Sequence, residues 1–205
     1  MTTLDVHVLT LPGLPREWVE QRRASIASAV ERAGFAVHVH EVEGIDGHLG
    51  RSRRKGYAAG TAPYVTHVDH DDWVAPEAFA VLQPYLEAGQ RAVTTGETLV
   101  YPDGSTVEHT KRRHHLAVYR RDWLWPRPFE RFEFYPDQFI LREAAPSHLE
   151  QAVYFHRLRT DSASRQQRDG NREAASREAE LLDNHHLLYA EALTREQIED
   201  ACNAQ

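Results

Sequence analysis

Three carboxylates fall within four residues at Asp69, Asp71 and Asp72, with His70 among them. They follow directly on an apolar run, Tyr64-Val65-Thr66-His67-Val68. Like charges so close together repel one another. A divalent cation would relieve that repulsion, because hard cations prefer oxygen ligands. The other reading of the same residues is a solvated acidic turn in which Asp72 helps to cap the next helix.

The flanking sequence predicts elements that would hold these groups. Tyr64, Val65 and Val68 give the preceding run strand character, with Pro63 at its entrance and Pro76-Glu77 opening a helix beyond. The carboxyl edge of a strand in an open α/β sheet is where such sheets bind ligands. Upstream, Leu4 to Leu11 alternates apolar and polar residues as a first strand. Pro12, Gly13 and Pro15 then break the chain before a helix with Val19, Ile26, Val30 and Ala33 on one face, ended at Gly34. Phe35, Val37 and Val39 form a second strand, with His38 and His40 on its other side as edge residues. This β-α-β unit predicts parallel neighbours and a right-handed crossover.

Downstream, Ala78 to Leu86 continues the helix after the acidic cluster, with Phe79, Leu82 and Leu86 on one side. Val93 to Tyr101 and Ser105 to Glu108 flank a hairpin turn at Pro102-Asp103-Gly104. His115 to Tyr119 reads as a short strand. Trp123, Trp125, Phe129, Phe132, Phe134 and Tyr135 are expected mostly in the core, with Trp125, between a Leu and a Pro in a loop, the best exception. Tyr135-Pro136-Asp137 starts a helix, where Asp137 would sit at the positive end as a cap. Val153 to Leu158 is strand-like and carries His156, a polar imidazole in an apolar run. A polar loop from Asp161 to Arg172 follows. Two helices end the chain, over Ala174 to Tyr189 and after Thr194, where Gln197 completes a capping box; His185 and His186 belong on the surface.

A chain of 205 residues with 41% hydrophobic and 27% charged residues suits one sizeable α/β domain. The net charge of −7 argues against a general nucleic-acid binder. The basic residues nevertheless cluster, at Arg51, Arg53, Arg54 and Lys55 and again from Lys111 to His115 with Arg120 and Arg121, as solvated surface or as anion sites. No apolar run approaches the ~18 residues that cross a bilayer. No signal peptide is visible, and the single cysteine, Cys202, excludes an internal disulfide framework, so a cytoplasmic setting is the default expectation.

Arg53, Gly56, Ala59, Tyr64, Asp69, Asp71, Asp72 and Pro76 together resemble the central block of GT-A glycosyltransferases of the inverting family-2 type. In that family an arginine-bearing helix leads into a strand ending in a D-x-D-D cluster. Arg54 stands where the family usually has Asn, and Ala62 where Gly is common. The resemblance implies a GT-A-like (Rossmann-like) mixed sheet flanked by helices, with C-terminal helices. It divides the domain into a nucleotide-binding half near residues 1–90, an acceptor-side half near 91–170 and terminal helices near 171–205.

The same resemblance implies the site. A nucleoside diphosphate sugar, most often uridine-linked, would lie against Thr10, Pro12, Glu43, Arg53, Arg54, Asp69, His70 and Arg157. His70, however, should point away from its aspartate neighbours on an extended chain. Asp69 would contact the ribose or the metal, and Asp71 would be a direct ligand of Mn²⁺ or Mg²⁺. His156 would be a third ligand or a structural histidine; as a ligand it would favour Mn²⁺. Asp137, where the family's Glu-Asp is reduced to Pro-Asp, would deprotonate the acceptor hydroxyl for inverting attack. The loop from Asp161 would close over the nucleotide. The acceptor stays open between a saccharide, a lipid-linked sugar, a protein and a modified DNA base. Competing readings are a nucleotidyltransferase, for which Thr10 to Arg16 is a poor phosphate loop, and a nucleotide-sugar binding module without turnover.

Overall fold

Alternating apolar residues place Leu4, Val6 and Val8 of strand β1, Thr3–Thr10, on one face of a sheet, and Asp5 and His7 on the other. Helix α1, Arg16–Arg32, buries Ile26 and Ala29 against the first of these faces and stops at Gly34, whose φ of +72° is left-handed. Strand β2, Ala36–Glu43, runs parallel to β1 at the sheet edge, with Thr10 opposite Glu43. Its half-exposed pattern is that of an edge strand, and His40 there pairs through Nε2 with the buried Asp5 at 2.9 Å. The computed structural model describes residues 2–10, 12–45, 47–110, 115–159 and 170–183.

Helix α2, Leu49–Ala58, crosses the second face at close range. Two glycines allow this. A Cβ at Gly50 would come within 2.2 Å of the Phe132 carbonyl oxygen, and one at Gly56 within 2.3 Å of the His7 ring. Strand β3, Tyr64–Val68, lies beside β1, parallel to it and buried throughout. The chain then leaves the middle of the sheet through the acidic segment. It re-enters at the far edge as β4, Trp73–Val74, antiparallel to the last strand.

The helix expected from Ala78 to Leu86 is instead a 3-10 turn at Ala80–Leu82 followed by a short α3, Gln83–Glu87. Pro84 explains the break, since its ring has no N–H to donate and clashes with the carbonyl four residues back. Strands β5, Ala92–Val100, and β6, Thr106–His109, form the expected hairpin, with Asp103 accepting from the Ser105 amide at 2.9 Å. Strand β7 is Val118–Arg120, shorter than expected, because Leu116 turns the chain with a φ of +43°. Two short helical turns follow, α4 at Arg121–Leu124 and a 3-10 turn at Phe129–Arg131, then α5, Pro136–Ala144. Strand β8, Ser147–Arg157, is parallel to β5, with a register shift around Gly96. Helix α6, Arg172–Asp183, completes the described chain.

The eight strands make one mixed sheet in the order β2-β1-β3-β7-β5-β8-β4, with β6 paired to β5. Cores lie on both faces: Leu4, Ile26, Phe79, Leu82 and Val153 pack on one, and Tyr57, Phe129, Phe132, Phe139 and Leu182 on the other. No helix among the described residues is long and apolar enough to cross a membrane. The expected loop from Asp161 up to residue 169 lies outside the described residues. So do His185, His186, the helix after Thr194, Cys202 and the basic run from Lys111 to His114.

Candidate active site

Arg53 is the centre of the charged cluster. It projects from α2 between the end of β3 and the start of α5, and only 2% of it is exposed. Its Nη2 donates to Asp69 Oδ1 at 2.7 Å and to Asp137 Oδ2 at 3.1 Å, and its Nε donates to Asp137 Oδ1 at 3.1 Å. Burial alone would lower the Arg53 pKa, but Asp137 and Asp69 reverse the effect and hold it charged. Burial alone would raise Asp69, yet Arg53, with His67 and His115 behind it, keeps that carboxyl well below the usual range. One guanidinium thus fixes two carboxylates that stand 68 residues apart in the chain.

Asp137 is held from a second direction. Glu178 of α6 accepts from three successive amides, those of Glu133, Phe134 and Tyr135, at 2.7 to 2.8 Å. These residues lead straight into Pro136 and Asp137. Asp137 is the second residue of α5, and its carboxylate pairs with Arg53.

Beyond Asp69 the chain turns, with the Asp72 amide donating to the Asp69 carbonyl at 3.2 Å. Asp72 points inward. Its Oδ2 accepts from the Tyr154 hydroxyl at 2.8 Å and its Oδ1 from the Arg157 amide at 2.7 Å. Burial, then Asp71 and Asp69, push the Asp72 pKa well above the ordinary carboxylate value. Tyr154 also donates no bond to Asp69 but receives one there, from the Asp69 amide at 3.0 Å.

His115 stacks on the Tyr154 ring, centroids 5.2 Å apart, and pairs through Nδ1 with the buried Glu97. Its Nε2 lies 2.9 Å from His156 Nδ1 and 3.8 Å from Asp69 Oδ2. Burial would lower the His115 pKa, but Glu97 overrides it and raises it, whereas burial and the neighbouring His115 bring His156 down to about 4. Glu97 reaches this place because the β5–β8 register shifts on either side of Gly96. A Cβ at Gly96 would meet the Glu150 carbonyl oxygen at 2.7 Å, so glycine is needed at the irregularity.

The outer rim carries further cations. Arg157 donates through Nε to the Asp71 carbonyl at 3.0 Å and through Nη2 to Gln21 at 2.7 Å, with its guanidinium over the rings of Trp18 and Trp73. Arg159 lies over Trp18 and donates to Asp71 Oδ2 at 3.3 Å. His70 Nδ1 is 3.9 Å from Asp71 Oδ1, and its carbonyl accepts from Arg22 at 3.0 Å. Thr10 and Glu43 lie opposite one another at the carboxyl ends of β1 and β2, the same sheet edge on which Asp69 leaves β3; Pro12 follows as an exposed turn residue.

Two expected residues point elsewhere. Arg54 is buried away from the carboxylates, donating to the carbonyls of Trp125 and Arg127 and to Glu130 Oε2 at 2.6 to 2.8 Å. It braces the loop before α5 and is not available to a diphosphate. Trp125 lines a cavity of about 800 Å³ with Gly60, Pro63, Arg120 and Arg121, at the amino end of β3 and so opposite the acidic edge. Of the metal ligands expected at Asp69, Asp71 and His156, the last has its Nδ1 3.9 Å from Asp72 Oδ2 and 2.9 Å from His115 Nε2, and these three residues form the tight group of possible ligand atoms among the described residues. Sequence reasoning did not single out Glu97, Tyr154, Arg159 or Glu178, and took His115 only as part of a basic cluster. The one available signal was a lone acid, Glu97, in the strand-like run Ala92–Val100.

The sequence profile of glycosyl transferase family 2 matches residues 26–158, well over half of the chain, and the chain belongs to that family. No curated protein matches it. Among solved structures the fold is similar to that of TarS from S. aureus. The crystal structure of TarS 1–349 with UDP aligns at a TM-score of 0.57 and 15% identity, covering 77% of this chain and 61% of that one. The complex of TarS 1–349 with UDP-GlcNAc gives the same TM-score and identity, covering 80% and 61%. A longer TarS structure aligns at 0.53 and 15%, covering 77% and 37%. At such identity the likeness is one of fold, the GT-A mixed sheet, and this chain spans about three fifths of TarS 1–349.

Proposed function

We propose that the protein transfers a sugar from a nucleoside diphosphate sugar, uridine-linked like the ligands of TarS, to an acceptor hydroxyl with inversion. The observation that carries this reading is the Arg53 bridge, which sets the strand-end carboxylate of Asp69 beside the helix-start carboxylate of Asp137. In family 2 those two positions face donor and acceptor, respectively.

In this reading the nucleotide lies along Thr10, Pro12, Glu43 and Asp69, where three parallel strands end. Arg157 and Arg159, braced on Trp18, offer charge to the diphosphate. Asp137 takes the proton of the acceptor hydroxyl while the acceptor oxygen attacks the anomeric carbon from the face opposite the leaving group. A new carbon–oxygen bond forms, the bond to the diphosphate oxygen breaks, and its electron pair leaves with the nucleotide. Arg53 orients Asp137 and does not itself touch the reacting atoms. Mn²⁺ or Mg²⁺, when bound in enzymes of this kind, supplies charge to the departing diphosphate. Among the described residues the atoms grouped closely enough to hold it are those of Asp72, His115 and His156, while Asp69 is engaged by Arg53 and Asp71 by Arg159.

The test joins a thermal-shift screen of nucleoside diphosphate sugars with a turnover measurement. Wild-type protein should be stabilised by a UDP-sugar and should at least hydrolyse it slowly without acceptor. Asp137→Asn should keep donor affinity and lose about 10²–10⁴-fold in turnover. Donor binding with neither transfer nor hydrolysis in the wild type would reduce the protein to a binding module.

A further inference from the structure

We propose that Glu178 is a positioning residue for sugar transfer: through the backbone of residues 133–135 it holds the first turn of α5, and with it the Asp137 carboxylate, in place against Arg53. The placement of Asp137 stands on geometry; its use in catalysis rests on the reading above.

Helix α6 buries one face, formed by Ala175, Glu178 and Leu182, and the acid lies in the middle of it with 7% of its surface exposed. An apolar side chain would suit such a face, and a carboxylate there is costly unless hydrogen bonds replace its water. Glu178 has three, all from backbone. Its Oε2 accepts from the Glu133 amide at 2.7 Å, and its Oε1 from the amides of Phe134 and Tyr135 at 2.8 and 2.7 Å.

Residues 132–135 belong to no helix or strand, so their backbone groups need partners elsewhere. They find them on two sides. The carbonyls of Phe132 and Glu133 accept from the amides of Gly50 and Leu49, in the opening turn of α2, at 2.9 and 3.2 Å. The amides of 133–135 donate to α6. One segment is thus tied to the helix that carries Arg53 and to the helix that carries Glu178, and it runs directly into the helix that carries Asp137.

Helix α6 grips the far end of α5 as well. Arg142 donates to the Leu182 carbonyl at 3.0 Å and to Asp183 Oδ1 at 2.8 Å, and Leu182 shares a core with Phe132 and Phe139. The family profile ends at residue 158, so this clasp lies outside the part of the chain that the profile describes. Arg53 divides its hydrogen bonds between Asp69 and Asp137, whereas the Glu178 clamp fixes the Asp137 backbone independently of Asp69. Such precision matters, because misplacing a reacting group by about 1 Å can cost about 10²-fold in rate.

Glu178→Gln tests the clamp on the full chain. Its amide oxygen can keep the Phe134 and Tyr135 bonds, while its NH₂ group meets the Glu133 amide donor to donor. The first readout needs no ligand: exchange of the Arg53 Nε–H, which donates to Asp137, followed by NMR. In Glu178→Gln this proton should exchange about 10-fold faster, together with the amides of Phe134 and Tyr135. Arg142→Ala, which loosens only the far end of the clasp, should lower Tm but leave that proton within about 2-fold of wild type. The second readout is hydrolysis of UDP-GlcNAc. Glu178→Gln should lower kcat about 10-fold with KM within about 3-fold, and should cost less than about 2-fold more in an Asp137→Asn background. Circular dichroism melts report folding; if Glu178→Gln does not fold, Glu178→Asp, with the charge withdrawn by one methylene, replaces it. Should neither fold, the wild type decides: the Arg53 Nε–H and the two amides should open at rates within about 3-fold of one another, and independent opening overturns the proposal. So does an unchanged Arg53 proton in a folded Glu178 variant, an equal change in Arg142→Ala, an unchanged kcat, or a loss that adds in full to that of Asp137→Asn. If the wild type does not turn over UDP-GlcNAc, or Asp137→Asn is fully active, the transfer reading fails, while the exchange rates still decide whether Glu178 places Asp137.

Discussion

Replacing Arg53 by glutamine tests whether the guanidinium bridge organises the site. Arg53 has 2% of its surface exposed and serves two carboxylates, at 2.7 and 3.1 Å. Removing one partner of a buried ion pair costs about 3–5 kcal/mol, because the other charge is left unpaired. The Asp69 side chain keeps 24% exposure, so water can take over part of the solvation, and the lower end of that range is the better figure. For a chain of this size about 3 kcal/mol lowers Tm by roughly 6–12 °C. The pH dependence gives a sharper signature. In the wild type the Asp69 pKa is depressed, so its contribution to stability is present above the unfolded value and is lost as pH falls through the folded one. In Arg53→Gln the depression is gone, burial favours the protonated acid, and folding takes up a proton instead. The deficit of the variant should therefore shrink between pH 7.5 and pH 5 in urea unfolding experiments. A deficit below about 1 kcal/mol at both pH values, or one that grows on acidification, would refute the reasoning.

Two further predictions concern positions away from the chemistry. Ala145 ends α5 in the left-handed region, φ 42° and ψ 58°, and is exposed, so Ala145→Gly should stabilise the protein by about 1 kcal/mol; a Tm that is unchanged or lower would count against this strain. His67 is buried beside Arg53, and burial followed by that charge holds its pKa at about 4. A depressed histidine favours the fold while neutral, so the part of the stability owed to His67 should fall by about 3 kcal/mol as pH drops from 6.5 to 4, and His67→Leu should make the acid decline shallower by about that amount, leaving the share of His156 in place. An equally steep decline in the variant would move the acid sensitivity to other groups.

Periodicity in the sequence carried the first β-α-β unit, because β1 and α1 each bury one clean face. The strand before the carboxylates and the hairpin at Asp103 were equally legible, since both are local patterns. Arg53, Asp69 and Asp137 could be picked out one by one, but nothing local indicates that Arg53 joins the other two across 84 residues of chain. Which way each aspartate points is decided by tertiary structure: Tyr154 and the Arg157 amide draw Asp72 inward and Arg159 draws Asp71 outward. Glu97 meets His115 only because the register of β5 shifts at Gly96, and periodicity counting cannot see a shift in register. Arg54 looked like a phosphate ligand by its charge and its place beside Arg53. Adjacent helix residues point about 100° apart, so one reaches the site and the other the loop behind it.

The acidic segment is also a strap. It leaves β3 in the middle of the sheet and delivers the chain to β4 at the opposite margin, four strands away. The far end of the segment is therefore fixed by β8, which enters the chain more than 70 residues later. Closing a contact so distant in sequence carries a loop-closure cost that local pairs do not. Opening of the β4–β8 pair would slacken the strap and loosen Asp72 from Tyr154 and the Arg157 amide, while Asp69 stays on Arg53. Hydrogen exchange at the amides of Trp73 and Val74 accordingly reports on the integrity of the site without any ligand being present.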